Sequence, residues 1–469
     1  MSDQSSRRRF LKNATLASGG GLGASMVGGR SAAEETGRTI YNIVDFGAEG
    51  DGQTNDAGAI QTAIDRCTEA GGGTVLVPAG STFLTGSFKL KSNVNLHLET
   101  GATLLASPNP DDYEEKTLIK ALDAERISLT GRGTIDGQGR KFMAELDEDH
   151  HQPKDWRPRM MILEHCRNVR LQDLTLRRSA FWTVHLAGCT DVAVEQLSIL
   201  NDRRLPNCDG IAVDCSTNVR ISDCHIEAGD DCIVLKTLER YAEYGNCENV
   251  TVTNCTLAST SAALKIGTET INDIRNVTYT NCVARSSSRG LGIMLRDGGT
   301  VENILYANIT VETRYYEGNW WGAAEPIYIT ALPRDADHEL GIVRNIRFSN
   351  IVCRGENGVF IRGSKERAVE DVLLQNVKVQ VEKWAEDGGG THDIRPAAEY
   401  EGIHKHPTAG IYGEKARGLT LDNCTVEWAE DPPSYFRHAL ELHDVSDFDT
   451  RHFTGASAHP GRYRAQLIG

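Results

Sequence analysis

The chain has 469 residues, 39% of them hydrophobic and 25% charged, with a formal net charge of −15. That is enough length and apolar content for a large core. The acidic balance argues against a nucleic-acid partner, which needs Lys and Arg to neutralise phosphates, and no apolar run approaches the roughly 18 residues of a membrane span.

Residues 1–35 read as an export signal that stands apart from the fold. Ser6-Arg7-Arg8-Arg9-Phe10-Leu11-Lys12 has the twin-arginine (Tat-type) pattern. Ala14 to Gly29 is small and mildly apolar, and Ser31-Ala32-Ala33 offers a cleavage site. The expected destination is the periplasm or the exterior, with residues 36–469 as one domain.

Asp56 to Cys67 is the one good helix prediction. Asp56 is the N-cap candidate, and Ala59, Ile60, Ala63, Ile64 and Cys67 share one face. Gly71-Gly72-Gly73 ends the helix, and Thr74-Val75-Leu76-Val77 reads as a buried strand. Such a helix can lid the first coil of a solenoid, whose ends need covering.

From Asn168 onward the chain repeats. Asn or Asp, then alternating apolar residues, begins at Asn168, Asp191, Asn218, Asn249, Asn276, Asn303, Asn345 and Asp371, at spacings of 23, 27, 31, 27, 27, 42 and 26 residues. Five residues after each start comes a second polar residue: Asp173, Gln196, Asp223, Asn254, Asn281, Asn308, Asn350 and Asn376. A similar segment begins at Asn423. Strands this short are stable only when stacked, coil on coil, about 4.8 Å apart. Amides at one turn position then form a hydrogen-bonded ladder. Unequal spacings mark loops of different length, the longest between 303 and 345. The expected fold is all-β: a single-stranded right-handed parallel β-helix of about ten coils with a short N-terminal capping helix. Of the twelve cysteines, Cys224, Cys255, Cys282 and Cys424 directly follow the polar position. A chain folded in a reducing compartment before export favours buried, unpaired cysteines over disulfides.

Setting the coils under one another places Asp209-Gly210-Ile211, Asp231-Cys232-Ile233, Ala262-Ala263-Leu264 and Arg289-Gly290-Leu291 in one column. Asp209 and Asp231 then share an outer face on adjacent coils, with Asp230 alongside. Three crowded carboxylates repel, so at least one pKa rises. A raised carboxyl suits a general acid, while an ionised neighbour can activate water. The plainer reading is a surface carboxylate cluster or a cation site.

The N-terminal segment, with Asp45-Phe46-Gly47-Ala48, Gly50-Asp51-Gly52, Asn55-Asp56 and Gly73-Thr74-Val75-Leu76-Val77-Pro78-Ala79-Gly80, resembles the cap of pectin lyase-like β-helices. That likeness carries fold, not activity. Pro206-Asn207-Cys208-Asp209-Gly210 and Gly229-Asp230-Asp231-Cys232 resemble the Asn-Thr-Asp-Gly and Gly-Asp-Asp-Cys motifs of glycoside hydrolase family 28, the polygalacturonase family, with Cys208 in place of Thr. The resemblance implies hydrolysis of O-glycosidic bonds in a pectic polysaccharide with inversion. It makes Asp230 the general acid, Asp209 and Asp231 the pair that holds and deprotonates water, and Asn207 a substrate-side residue. No cofactor and no metal is required.

The chain departs from the family where its usual His falls at Ala262 and its usual Arg-x-Lys at Gly292 and Met294. Lys265, Arg289 and Arg296 are the candidate replacements for binding a substrate carboxylate. His185, in Phe181-Trp182-Thr183-Val184-His185, matches a His in bacterial relatives and is a candidate substrate contact. Trp320 and Trp321, in the long insertion, suit either stacking on sugar faces or anchoring of that loop. Glu269 is a fallback carboxylate, and His404 and His406 lie in a long C-terminal loop, where metal binding is a minor reading. The missing basic residues keep open a rhamnogalacturonan or other modified galacturonan as substrate. A polysaccharide lyase and a non-catalytic carbohydrate-binding β-helix are the readings of other classes.

Overall fold

The computed structural model describes residues 39–335, 338–386 and 388–469; the export signal expected at residues 1–35 lies outside the described residues. Short parallel strands stack in register into one 36-stranded sheet. Crossovers between parallel strands of one sheet are right-handed, and the chain winds as a right-handed parallel β-helix. One inward column shows the regularity. Val75, Leu96, Leu129, Leu171, Val194, Ile221, Val252, Tyr279, Tyr306, Phe348, Leu374 and Leu421 are successive register partners, twelve rungs deep. All are buried, and each removes roughly 1.5–3 kcal/mol worth of apolar surface from water. Within it the rings of Tyr279, Tyr306 and Phe348 stack at 4.7 and 4.8 Å. Twelve rungs exceed the ten expected because the coils before Asn168 turn without the Asn-led repeat.

Helix Ala57–Glu69 covers the first coil and buries Ile60, Ala63, Ile64 and Cys67, while Ala59 is only partly covered. The capping differs from expectation. Asp56 makes no side-chain bond to the helix; its carboxylate accepts from the Glu49 and Gly50 amides at 2.8 and 3.2 Å. Asn55 Oδ1 accepts from the Ala57 amide instead, at 3.1 Å. Asp56 therefore pins the turn leading into the helix.

The two recurring polar positions are the corners of each coil. Asn218, Asn249, Asn276 and Asn303 all have φ between 58° and 59°, as do Asn254, Asn281 and Asn308 within 54° to 57°. This left-handed conformation is strained for most L-residues and tolerated best by Gly, Asn and Asp. Both corners, not one, carry ladders. Each Asn Nδ2 donates to the side-chain oxygen one coil earlier, from Asn218 to Asn345 in the first and from Asn254 to Asn423 in most rungs of the second. All twelve cysteines are buried and unpaired.

Two antiparallel pairs stand outside the coils: Met143–Glu145 with Gln152–Pro153, and Thr391–Asp393 with Ile403–Lys405. The loops that carry them, with the insertion after Thr313, build up the face that holds the aspartates. None of the helices among the described residues is long and apolar enough to cross a membrane.

Candidate active site

Strands Ile211–Asp214, Ile233–Thr237, Ala262–Thr270 and Arg289–Leu295 pair in the register Ile211, Ile233, Leu264, Leu291. Those residues point inward. Asp209 and Asp231 each lie two positions before their inward partner, where the hydrogen bonds continue from Gly210 N to the Asp231 carbonyl. They emerge on the same face, one coil apart, and are 2% and 1% exposed. Asp230 is half-buried. One oxygen from each of the three lies within 4.8 Å of the other two. That is tighter than the roughly 6.5–9.5 Å expected for an acid and base with water between them. Asn207 draws Asp230 back over the cluster: its Nδ2 donates to Asp230 Oδ2 at 3.3 Å, and its Oδ1 accepts from Arg157 Nη2 at 2.7 Å.

The three carboxylates have different surroundings. Asp231 accepts from Ser261 Oγ at 3.0 Å, the Ala262 amide at 3.3 Å and Lys265 Nζ at 2.7 Å. Asp209 Oδ1 is buried with no hydrogen-bond partner. Burial pushes the Asp209 carboxyl well above the ordinary carboxylate range, and Asp230 adds to the rise. Burial also raises Asp230, with Asp231 adding. Neighbouring carboxyls of this kind titrate as a unit.

A second charged layer lies one step further along the strands. Lys236 Nζ is 3.4 Å from Glu269 and 4.5 Å above the Trp182 ring. Burial works against the Lys236 charge, but Glu269 and the three aspartates outweigh it and hold its pKa above the usual lysine range. Burial likewise opposes ionisation of Glu269, and Lys236, Lys265 and Arg334 bring its pKa down to about 2. Glu269 is thus an ion-pair partner of the basic groups and a poor substitute for the aspartates as an acid. Lys236, inside the strand that follows Gly229-Asp230-Asp231-Cys232, was absent from the sequence candidates. So were Arg157 and Arg159, whose guanidinium groups lie over Phe181 at 4.8 and 5.3 Å. Nothing in local spacing marks these residues; only coil stacking brings them together.

Several sequence candidates are used elsewhere. His185 is fully buried, its Nε2 3.1 Å from Asp214, and packs between Trp182 and Tyr241. It supports the floor of the site and does not reach its surface. Arg289 is buried beneath the C-terminal hairpin, donating to the Asp393 carbonyl, 3.5 Å from Glu325 and 4.3 Å from the Tyr328 ring. Arg296 donates to the Ile394 and Pro396 carbonyls and to Thr330. Both arginines fasten that hairpin, so neither is a free substrate cation. Lys265 does stand at the aspartates, but its ammonium pairs with Asp231. The two tryptophans separate. Trp320 is 7% exposed, donating to the Asp149 carbonyl at 3.1 Å and packing on His150. Trp321 is 37% exposed, with Arg395 5.5 Å from its ring. Trp320 thereby joins two loops whose parent coils are far apart, walling one flank of the aspartates.

Fold and site together define a carbohydrate-active parallel β-helix, with a carboxylate triad set on one sheet and ringed by cations. The chain belongs to the glycosyl hydrolases family 28, whose family model matches residues 67–386. It is similar to a probable polygalacturonase of Vitis vinifera, 34% identical over 226 residues that cover 44% of this chain and 45% of the relative. Its fold is similar to that of a hyperthermoactive exopolygalacturonase from Thermotoga maritima, with a TM-score of 0.64 at 25% identity over 73% of this chain and 87% of that one. A Yersinia enterocolitica family 28 exopolygalacturonase shares the fold with a TM-score of 0.68 at 22% identity, over 88% of this chain and 79% of that one. The chain spans about half the length of the curated relatives it matches.

Proposed function

We propose that the protein hydrolyses galacturonosyl linkages in a pectic polymer or oligomer, with inversion at the anomeric carbon. The observation that carries this is the unequal environment of three converging carboxylates. Asp230, half-buried and raised in pKa, faces outward and donates a proton to the leaving glycosidic oxygen. Asp209 and Asp230 share a proton; when Asp230 holds it, Asp209 is free to accept one from water. Asp231, oriented by Lys265, Ser261 and the Ala262 amide, holds that water. The water oxygen bonds to the anomeric carbon as the glycosidic C–O bond breaks.

The close spacing of the carboxylates fits a retaining pair better than an inverting one by distance alone. Accessibility weighs the other way. A nucleophilic carboxylate must present a free oxygen to the sugar, whereas both Asp231 oxygens are engaged and Asp209 is buried.

An acidic protein acting on a polyanion needs local cations to draw it in. Arg157 and Arg159, which are only partly buried, supply them, while Lys236 and Lys265 are buried and already paired with Glu269 and Asp231. Gly292 and Met294 still leave a gap where the family has Arg-x-Lys, which favours a second reading: the subsite beside the cut bond takes a neutral sugar. Reducing-end release from polygalacturonate and from a rhamnogalacturonan backbone separates the two. Strong release from the first supports the main reading, from the second alone the alternative, and release from neither rejects both.

Export through the twin-arginine segment completes the proposal. Replacing Arg7 and Arg8 with Lys should retain an unprocessed precursor in the cytoplasm; unchanged processing would refute that route.

A further inference from the structure

The aspartate-bearing face continues past the catalytic coils to a second cluster near the C-terminus. Glu441 and His443 sit two apart on strand Leu440–Ser446 and project from the same face. His406 reaches them from the loop that follows the Thr391–Asp393 and Ile403–Lys405 hairpin. Glu441 Oε1 is 2.9 Å from His443 Nε2 and 3.3 Å from His406 Nε2. One ligand atom from each of the three lies within 4.8 Å of the other two.

The hydrogen bonding is lopsided. Both imidazoles converge on Oε1, while Oε2 of the same carboxylate, on a side chain 5% exposed, is buried without a partner. A buried carboxylate oxygen left unpaired is costly. His406 Nδ1 lies 2.7 Å from the Pro407 carbonyl and donates to it. In the neutral imidazole that bond places the proton on Nδ1 and leaves the Nε2 lone pair toward Glu441, the arrangement in which a metal-ligating His is held by its other nitrogen. A lone pair facing a carboxylate is repulsive unless a proton or a cation lies between them.

We propose that His406, Glu441 and His443 form a structural site for a divalent ion of the zinc class. Two imidazoles and one carboxylate suit zinc rather than calcium or magnesium, which prefer all-oxygen shells. The ion draws Oε2 into coordination and ties the loop to the last coils. Because the same loop supplies the carbonyls that bind Arg289 and Arg296, the ion also braces the wall beside the active site.

The test is calorimetric titration of zinc chloride into tag-free, chelator-treated full-length protein, alongside His443→Ala and Glu441→Gln. His443 is on the surface, so its loss leaves the fold intact. The expected result is one zinc per chain in the wild type, with affinity lowered at least tenfold in each variant. Zinc should raise the melting temperature of the wild type and not that of His443→Ala. A wild type that binds no zinc, or binding that is unchanged in both variants, overturns the proposal.

Discussion

The corners of the coils and the aspartate face obey the same strict register yet do opposite things with it. At the corners, Asn249, Asn276 and Asn303 repeat one side chain in one left-handed conformation, and each of these three amides finds its partner a coil away. On the face, the column that starts at Asp209 continues through Asp231, Ala262 and Arg289, so that carboxylates give way to a methyl group and then a guanidinium within four rungs. Repetition satisfies the backbone and spreads stability evenly along the solenoid. Breaking the repetition, on a frame that does not move, places unlike groups a few ångströms apart and separates their protonation. Stability and chemistry are therefore carried by different faces of the same coils, and substitutions on the two should have different signatures.

The largest effect belongs to the face. Asp230→Asn should cut turnover by about 10²–10⁴-fold, the usual worth of general acid catalysis, with no loss of melting temperature. Steady-state kinetics beside a thermal melt would show it, and a folded variant with near-normal turnover would take Asp230 out of the mechanism. Lys265→Met should hurt both properties. Removing the ammonium strands Asp231, and breaking a buried pair from one side costs about 3–5 kcal/mol. Denaturant unfolding would register that loss together with reduced activity; a variant as stable as the wild type would mean that the pair contributes little.

A corner substitution is milder and purely structural. Asn276→Ala loses the bonds to Asn249 and from Asn303 and the side-chain amide that makes the left-handed conformation tolerable there, a cost of about 1–2 kcal/mol. Activity at a temperature below the melt should be unchanged, and an activity loss without a stability loss would blur the division between faces. The smallest effect is a pH slope. Asp209 has a folded pKa above its unfolded value of about 3.9. Its protonated form therefore stabilises the fold fully below pH ~4, and that contribution is lost as pH rises through the raised folded value. Asp209→Asn should flatten the decline of melting temperature over that window, whereas an identical slope would assign the decline to other groups.

Much of this was legible in the sequence because the solenoid writes its cross-section into the chain once per coil. The Asn spacings marked the corners, and the apolar alternation marked the inward residues. Superposing Asp209, Asp231, Ala262 and Arg289 reproduced the register of the face. What escaped were contacts that periodicity does not encode. Arg289, Arg296 and Trp320 looked like free surface groups, yet each is consumed by a loop from another coil: the hairpin around Asp393 to Pro396, or the segment at Asp149 and His150. His185 is engaged by Asp214 on the next coil and covered by Trp182 and Tyr241. Lys236 was hidden by its apolar strand neighbours and shows its place only beside Glu269 and Trp182. At the cap, Asn55 and Asp56 are adjacent and chemically alike, so sequence alone could not say which would face the helix.

Proton NMR of the first product released from an oligogalacturonate tests the central claim most directly. An inverting hydrolysis at Asp209, Asp230 and Asp231 yields a newly formed reducing end of opposite anomeric configuration to the bond cut, appearing before mutarotation and absent with Asp230→Asn. A reducing end of retained configuration, or an unsaturated sugar in place of a hydrolysed one, would contradict it.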